Sequence, residues 1–360
     1  MSPTSTAPLP LPTAQPVEDA PLPEEVSAPS WTSRVASRKT VVSLGITVVV
    51  LAVAIWRAPT LIDWQAVGSD VRRADLKFYG LAIVVYYLSF VVRALRWKLL
   101  LRNTGEEISA LPLGEILLAS FFVNCVVPAK MGDLYRAVQL RSRHGVGGAK
   151  SLGTIVAERL LDLFVLMGLL LLAGVVTFRD HVPTSLVPAL VAFAALCVLA
   201  AAALVVMIMG RGRRVLRLLP EQLVIRYENF RSGTVDAFGR WPLVLPLSVA
   251  VWALEGLRLG FVIISLGYFS QVGPAHFLLV ALIAALLTTV PFLPGGLALV
   301  EGGMIAVLGT FNLSTSGATA VALLDRSISF ASLILVGGVV FLVFHARHAG
   351  RPATVVAADG

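Results

Sequence analysis

The chain has 360 residues, 57% hydrophobic and 14% charged, with a mean hydropathy of +0.85. So few charges cannot solvate the surface of a soluble protein of this size, and the apolar runs are long, so composition excludes a soluble domain and specifies a polytopic, all-α integral membrane protein. The formal net charge of +8 is the Lys/Arg excess of cytoplasmic loops rather than a nucleic-acid signal, because no DNA- or RNA-binding motif accompanies it.

Residues 1–33 are rich in Pro, Ser, Ala and Thr and carry Asp19, Glu24 and Glu25. They cannot bury a core and read as a disordered cytoplasmic tail. They lack the basic start followed at once by an apolar stretch that marks a signal peptide. A transmembrane domain then occupies residues 40–345. Its first span is expected at 41–57, preceded by Arg34, Arg38 and Lys39, and the mixed stretch 58–77 reads as a surface helix. Further spans are expected at 78–101, 152–178, 183–209, 243–270 and 317–345, each long enough for a hydrocarbon core of about 30 Å. Residues 346–360 form a short cytoplasmic tail.

Two other apolar segments are interrupted. Residues 113–140 break at Pro128 and Gly132, and residues 275–313 break at PFLPGG, where Pro291, Pro294, Gly295 and Gly296 fall together. Irregular backbone at membrane depth survives only where protein or a wet cavity satisfies it, so both segments are expected to be re-entrant hairpins. The loops set the orientation. Residues 129–150 and 210–242 are basic, whereas 179–182 and 271–276 have no net positive charge, which places both termini on the cytoplasmic side of the inner or plasma membrane. Six spans plus two hairpins meet that condition, and so do eight spans if the second hairpin crosses. The 210–242 stretch is expected to include an interfacial amphipathic helix.

The order of elements repeats. A helix with Arg93 and Arg96 precedes a broken hairpin and a charged helix with Glu158, Arg159 and Asp162. A helix with Glu255 and Arg258 precedes a second broken hairpin and a helix with Asp325 and Arg326. The two series run in opposite directions across the membrane, an inverted repeat of the kind that places a binding site between broken helices.

A charge at the bilayer centre costs about 2.5–3.5 kcal/mol on insertion scales, so these residues need partners. Spacing lets Arg159 reach Asp162 and Arg258 reach Glu255 on their own helices. Asp325 and Arg326, being adjacent, address different partners. Arg93, Arg96, Lys98 and Arg102 could equally snorkel to head groups. At the two breaks, charge coincides with freed backbone. Asn124, Asp133, Arg136 and Glu301, with Arg93, Arg96, Glu158, Arg159, Asp162 and Arg326, are the expected binding set for a phosphate-bearing ligand. No catalytic role, cofactor or metal is assigned. The chain has no HExxH, P-loop or GxSxG motif, Cys125 and Cys197 stand apart in apolar runs, and the histidines lie in loops or at helix ends.

The motifs RALRWKLLL at 93–101, NCVVPAKMGDLYRAVQL at 124–140, AERLLDL at 157–163, PFLPGGLALVEGGMIAVL at 291–308 and ALLDRSISF at 322–330 resemble the flippase-like transmembrane domain of lysylphosphatidylglycerol synthases. The resemblance covers roughly residues 40–345. It implies transbilayer movement of a lipid. Arg93, Arg96, Trp97, Asn124, Pro128, Gly132, Asp133, Arg136, Glu158, Arg159, Asp162, Pro294, Gly295, Gly296, Glu301 and Arg326 match its signatures. The chain ends shortly after its last span, without the soluble synthase domain, and is expected not to make the aminoacylated lipid itself. The expected activity is therefore that of a lipid transporter, not an enzyme. Its expected partners are membrane lipids, either a phospholipid or a polyprenyl-phosphate-linked sugar, and an enzyme of envelope-lipid synthesis. The alternatives are a membrane transferase using Glu158, Asp162 or Glu301 as acid/base, and a non-transporting scaffold.

The orientation is testable directly. Cysteines introduced at Arg143 and Arg226 should react in intact cells with membrane-permeant thiol reagents and resist impermeant ones. Labelling of either site by an impermeant reagent contradicts the assignment.

Overall fold

The computed structural model describes residues 62–127, 130–178, 187–210, 220–288 and 294–347. Among them every regular element is helical. Helix α1 (Trp64–Arg73) is short and amphipathic, starting where the Asp63 carboxylate accepts from the Gln65 and Ala66 amides. It lies where a surface helix is expected. Its Asp70 accepts a hydrogen bond from the Tyr268 hydroxyl at 2.8 Å, tying α1 to the turn after α8. Burial, and then Asp70, push that phenol up to about 12.

Five helices are long and apolar enough to cross a membrane. They are α2 (Leu76–Asn103), α5 (Gly148–Thr177), α6 (Val187–Ile208), α8 (Trp241–Ser265) and the helix formed by α11 (Thr315–Arg326), a π-helical turn (Ser327–Ser332) and α12 (Leu333–Ala346). They coincide with five of the six expected spans. The expected span 41–57, the N-terminal tail and residues 348–360 lie outside the described residues.

The two interrupted segments form helix–break–helix units. Helix α3 (Ala110–Val126) precedes α4 (Met131–His144), and α9 (Pro274–Leu287) precedes α10 (Leu299–Gly309). At 17, 14 and 11 residues, α3, α9 and α10 are each too short to cross a 30 Å core alone. Helix α4 is not apolar; it ends in Arg141, Arg143 and His144, which suit a helix C-terminus.

Residues 210–242 differ from the expected interfacial helix. Helix α7 (Glu221–Val235) runs through a 3-10 turn (Asp236–Arg240) directly into α8 and packs along α5. Gly153 and Gly233 permit that contact: a Cβ on either would strike a backbone carbonyl of the other helix, Phe230 or Lys150. The Arg231 guanidinium donates to the Met207 and Ile208 carbonyls at 2.6 and 3.1 Å, satisfying the end of α6. Charge in this stretch caps a neighbouring helix, and a periodicity argument made on one helix cannot see that.

Helix α2 holds the bundle together. Its first half joins α8, α10 and α11 in one apolar cluster through Ala82, Tyr86 and Phe90. Its second half joins α3 and α4 in another through Ala94, Trp97 and Leu101. Leu100 enters a third, formed with α5, α8 and α9. A ladder of tyrosines fixes α2 to the π turn: Tyr79 to Ser327 Oγ at 2.7 Å, Tyr86 to the Ser329 carbonyl at 3.1 Å and Tyr87 to Ser332 Oγ at 2.9 Å. A π turn frees carbonyls from the regular ladder, and Tyr86 takes up one of them.

Candidate functional site

At the first break α3 ends at Val126, and Val127 is extended. Lys130 then caps α4 in the left-handed region at φ 52°. The Gly132 amide, freed at the start of α4, donates to Asn124 Oδ1 at 2.8 Å. The two helices are so close here that a Cβ on residue 132 would collide with the Ser120 carbonyl. Asn124 and Gly132 therefore lock the break. At the second break Pro294–Gly296 makes a 3-10 turn in which Gly295 and Gly296 take φ values of 58° and 69°. Gly295 is doubly required, because a Cβ there would also come within 2.5 Å of the Phe330 ring. Ala298, at φ 64°, then leads into α10. Pro128 and Pro291 lie outside the described residues.

The charges fall into two equivalent arrangements. The third residue of the helix after each break is acidic, Asp133 in α4 and Glu301 in α10. Each pairs with an arginine on the next long helix: Arg159 Nη2 to Asp133 Oδ1 at 2.7 Å, and Arg326 Nε to Glu301 Oε1 at 2.8 Å. The partners are 26 and 25 residues apart. The residue before each arginine, Glu158 or Asp325, pairs with an arginine of the helix before the break, Arg96 or Arg258. Those partners are 62 and 67 residues apart. The repeated order of charged elements is thus visible in the ion pairs. The halves join where Arg93 Nη2 meets Glu255 Oε1 at 2.8 Å, between α2 and α8. Glu255 also accepts from Arg258, at 3.1 Å.

Between the breaks lies a cavity of about 200 Å3. Its wall takes Asn124, Val127 and Lys130 from the first break and Thr288, Gly295 and Val300 from the second. Arg93, Arg159, Arg258 and Arg326 also reach it, with Glu255 and Asp325. Arg326 holds the second break in place by donating to the Gly295 carbonyl at 2.7 Å. Aromatic faces carry several of the cations. Arg93 lies over Phe121 and Trp252, Arg258 over Tyr86 and Arg326 over Phe330, at 4.9–5.7 Å from the ring centres.

The remaining residues of the expected set form a second, closed cluster. Arg96, with no exposed surface, donates to Asp162 at 2.5 Å, to Glu158 at 2.7 Å and to Ser248 at 3.1 Å. Arg136 donates to the other oxygen of Glu158 at 2.6 Å and stacks on Trp97 at 4.1 Å. Trp252 Nε1 donates to Asp162 at 3.2 Å. None of Arg96, Arg136, Glu158 or Asp162 lines the cavity. Two expectations are corrected here. Arg159 pairs with Asp133 rather than Asp162, and Arg93 and Arg96 are buried rather than snorkelling; Arg136 faces Glu158. The expected set also omitted Lys130, Trp252, Glu255, Arg258 and Asp325 from the wall. All four of those charges were visible in the sequence, but the i, i+3 spacing of Glu255 and Arg258 already accounted for those two as a packing pair.

This division predicts distinct mutant behaviour. Glu158→Gln leaves Arg136 without its counter-charge in a closed apolar environment, with Arg96 held by Asp162 alone, and removal of one partner of such a pair costs about 3–5 kcal/mol. The expected result is a large drop in thermal stability in detergent, with any loss of activity following the loss of folded protein. Asp162→Asn should behave likewise. A well-folded, inactive Glu158→Gln protein would contradict the structural role assigned to this cluster.

Comparison with known proteins agrees with the architecture. The model of the family described as the lysylphosphatidylglycerol synthase TM region matches residues 41–337. A UPF0104 membrane protein of Methanocaldococcus jannaschii is 30% identical over 225 residues, which is 62% of this chain and 94% of that protein. A UPF0104 membrane protein of Pyrococcus horikoshii is 22% identical over 311 residues, 78% of this chain and 92% of that one. Glycosyltransferase AglD of Haloferax volcanii is 27% identical over 351 residues, covering 85% of this chain but only 54% of the relative, so the chain spans about half of that protein. No solved structure matches. The chain is an all-α membrane protein and belongs to the family of the lysylphosphatidylglycerol synthase TM region.

Proposed function

We propose that the protein binds a phosphate-bearing lipid with its headgroup in the central cavity and moves that lipid across the bilayer. The observation that carries this reading is the cavity itself, a chamber inside the bundle reached by both helix breaks, whose wall includes five cations, Arg93, Lys130, Arg159, Arg258 and Arg326. Guanidinium groups bind phosphate through paired N–H donors, and an apolar surround strengthens each contact. The two breaks enter as re-entrant hairpins from opposite sides of the membrane, and both termini are cytoplasmic. Movement is passive or coupled to an ion, since no nucleotide-binding motif is visible in the sequence.

A transferase needs a carboxylate free to act at the substrate. Glu158 and Asp162 are held by Arg96 away from the cavity. Of the three carboxylates named for that role, Glu301 alone keeps an oxygen, Oε2, without a hydrogen-bond partner among the described residues. The Haloferax relative is named a glycosyltransferase, which keeps a sugar-bearing lipid among the substrates to be tried.

The test is transport in vesicles. Purified protein is reconstituted with fluorescent phosphatidylglycerol or a fluorescent polyprenyl-phosphate-linked sugar, and loss of signal to an impermeant quencher reports crossing. The wild type should speed crossing of one of these lipids. Arg159→Gln should reduce it by about tenfold or more while inserting normally, removing a charge-assisted phosphate contact. If folded wild-type protein moves neither lipid faster than protein-free vesicles do, the transport reading fails.

A further inference from the structure

We propose that Lys130 sets which anion the cavity accepts, and that its lone positive charge matches the single negative charge of a phosphodiester headgroup rather than the greater charge of a diphosphate. This rests on the reading of the cavity as a lipid-headgroup site, and goes beyond it in naming the selecting residue and the charge state selected.

The charges on the cavity wall nearly balance. The four arginines on the wall are Arg93, Arg159, Arg258 and Arg326. Four carboxylates answer them: Glu255 with Arg93 and Arg258, Asp325 with Arg258, Asp133 with Arg159, and Glu301 with Arg326. Four positive and four negative charges cancel. Lys130 is the fifth cation on the wall, and among the described residues it makes no ion pair. The nearby Asp133 directs both oxygens to Arg159, at 2.7 and 3.2 Å. The undescribed residues at the two breaks, 128–129 and 289–293, read PA and TVPFL and bring no ionisable group. The neighbouring closed cluster is neutral by itself, with Arg96 and Arg136 against Glu158 and Asp162.

The backbone gives a second, independent observation. Lys130 sits at φ 52°, a conformation that favours Gly or Asn over residues with long side chains. The equivalent position in the other half is Ala298, at φ 64°. The left-handed turn therefore does not itself call for a lysine. The repeat supplies its paired charges in both halves and an unpaired one in only the first. An unbalanced charge inside an apolar bundle is costly, so a site carrying one surplus cation is completed by one anionic charge. A phosphodiester brings one. A phosphomonoester brings about 1.5 to 2 at neutral pH, and a diphosphate brings more, leaving the excess unmatched.

The test uses the full-length protein in detergent and three soluble probes: dihexanoyl phosphatidylglycerol, dihexanoyl phosphatidic acid and farnesyl diphosphate. Binding is measured by calorimetry. The wild type should bind the phosphodiester about tenfold or more tighter than the diphosphate, with the monoester between them. Lys130→Asn should lose the phosphodiester by about tenfold or more. Asn suits the left-handed turn, so this variant should melt no lower than the wild type. Lys130→Arg should keep the affinity. Equal phosphodiester binding by the wild type and Lys130→Asn overturns the assignment, as does a wild-type preference for the diphosphate; both leave the lipid site standing. Binding of none of the probes by folded wild-type protein overturns the lipid-site reading as well.

Discussion

The bundle depends on one ion pair between its halves, Arg93 to Glu255, on helices α2 and α8. A charge in an apolar interior is tolerable only with its counter-charge in place, and this pair starts a chain. Glu255 also takes Arg258, and Arg258 takes Asp325. Two cations and two carboxylates alternate across three long helices, each held by the next. Such a chain adds little net stability over apolar packing of the same volume, yet removing a single member strands its neighbour. What it provides is register. It sets α2, α8 and α11 at fixed rotations, and those rotations bring Arg326 to the second break and the Tyr79–Tyr86–Tyr87 ladder to the π turn.

From that register the cavity follows. Each break leaves helix-end amides and carbonyls that hydrocarbon cannot satisfy. The structure answers some of them locally, with Asn124 on the Gly132 amide and Arg326 on the Gly295 carbonyl. The rest of the polar surface gathers into one chamber between the breaks. Two requirements therefore meet at one place: the backbone needs polar company, and the paired arginines supply it. The second cluster, around Arg96 and Glu158, contains the same residue types and does the opposite work. It closes on itself beneath the wall and pins α2 to α4 and α5.

Much of this was legible in the sequence, because the membrane imposes length and apolarity on every crossing helix. The spans read at 78–101, 152–178, 183–209, 243–270 and 317–345 are present as helices. The breaks could be read as well, since proline and glycine interrupt a helix wherever they fall together. Partner choice was not legible. Spacing along one helix makes Arg159 and Asp162 natural partners, but Arg159 crosses to Asp133 on another helix and Asp162 turns to Arg96. Only the rotation of whole helices decides such pairings, and a single sequence does not state it. The π turn at Ser327–Ser332 was invisible for a related reason. It is stabilised by tyrosines nearly 250 residues away in α2, and nothing in SISFAS itself calls for it. Residues 210–242 misled because their charges suit a surface, whereas Arg231 spends its charge on the carbonyl end of α6.

The alternation of charge from Arg93 to Asp325 sets the register of the bundle, and a double-mutant cycle tests this most directly. Thermal stability in detergent is measured for Arg93→Gln, Glu255→Gln and the double variant. Each single change leaves one unmatched charge in the chain, while the double change leaves Arg258 and Asp325 balanced. The account predicts that both single variants are destabilised and that the double variant recovers much of the loss, with a coupling of about 0.5–3 kcal/mol. Single variants as stable as the wild type, or losses that simply add in the double variant, would contradict it.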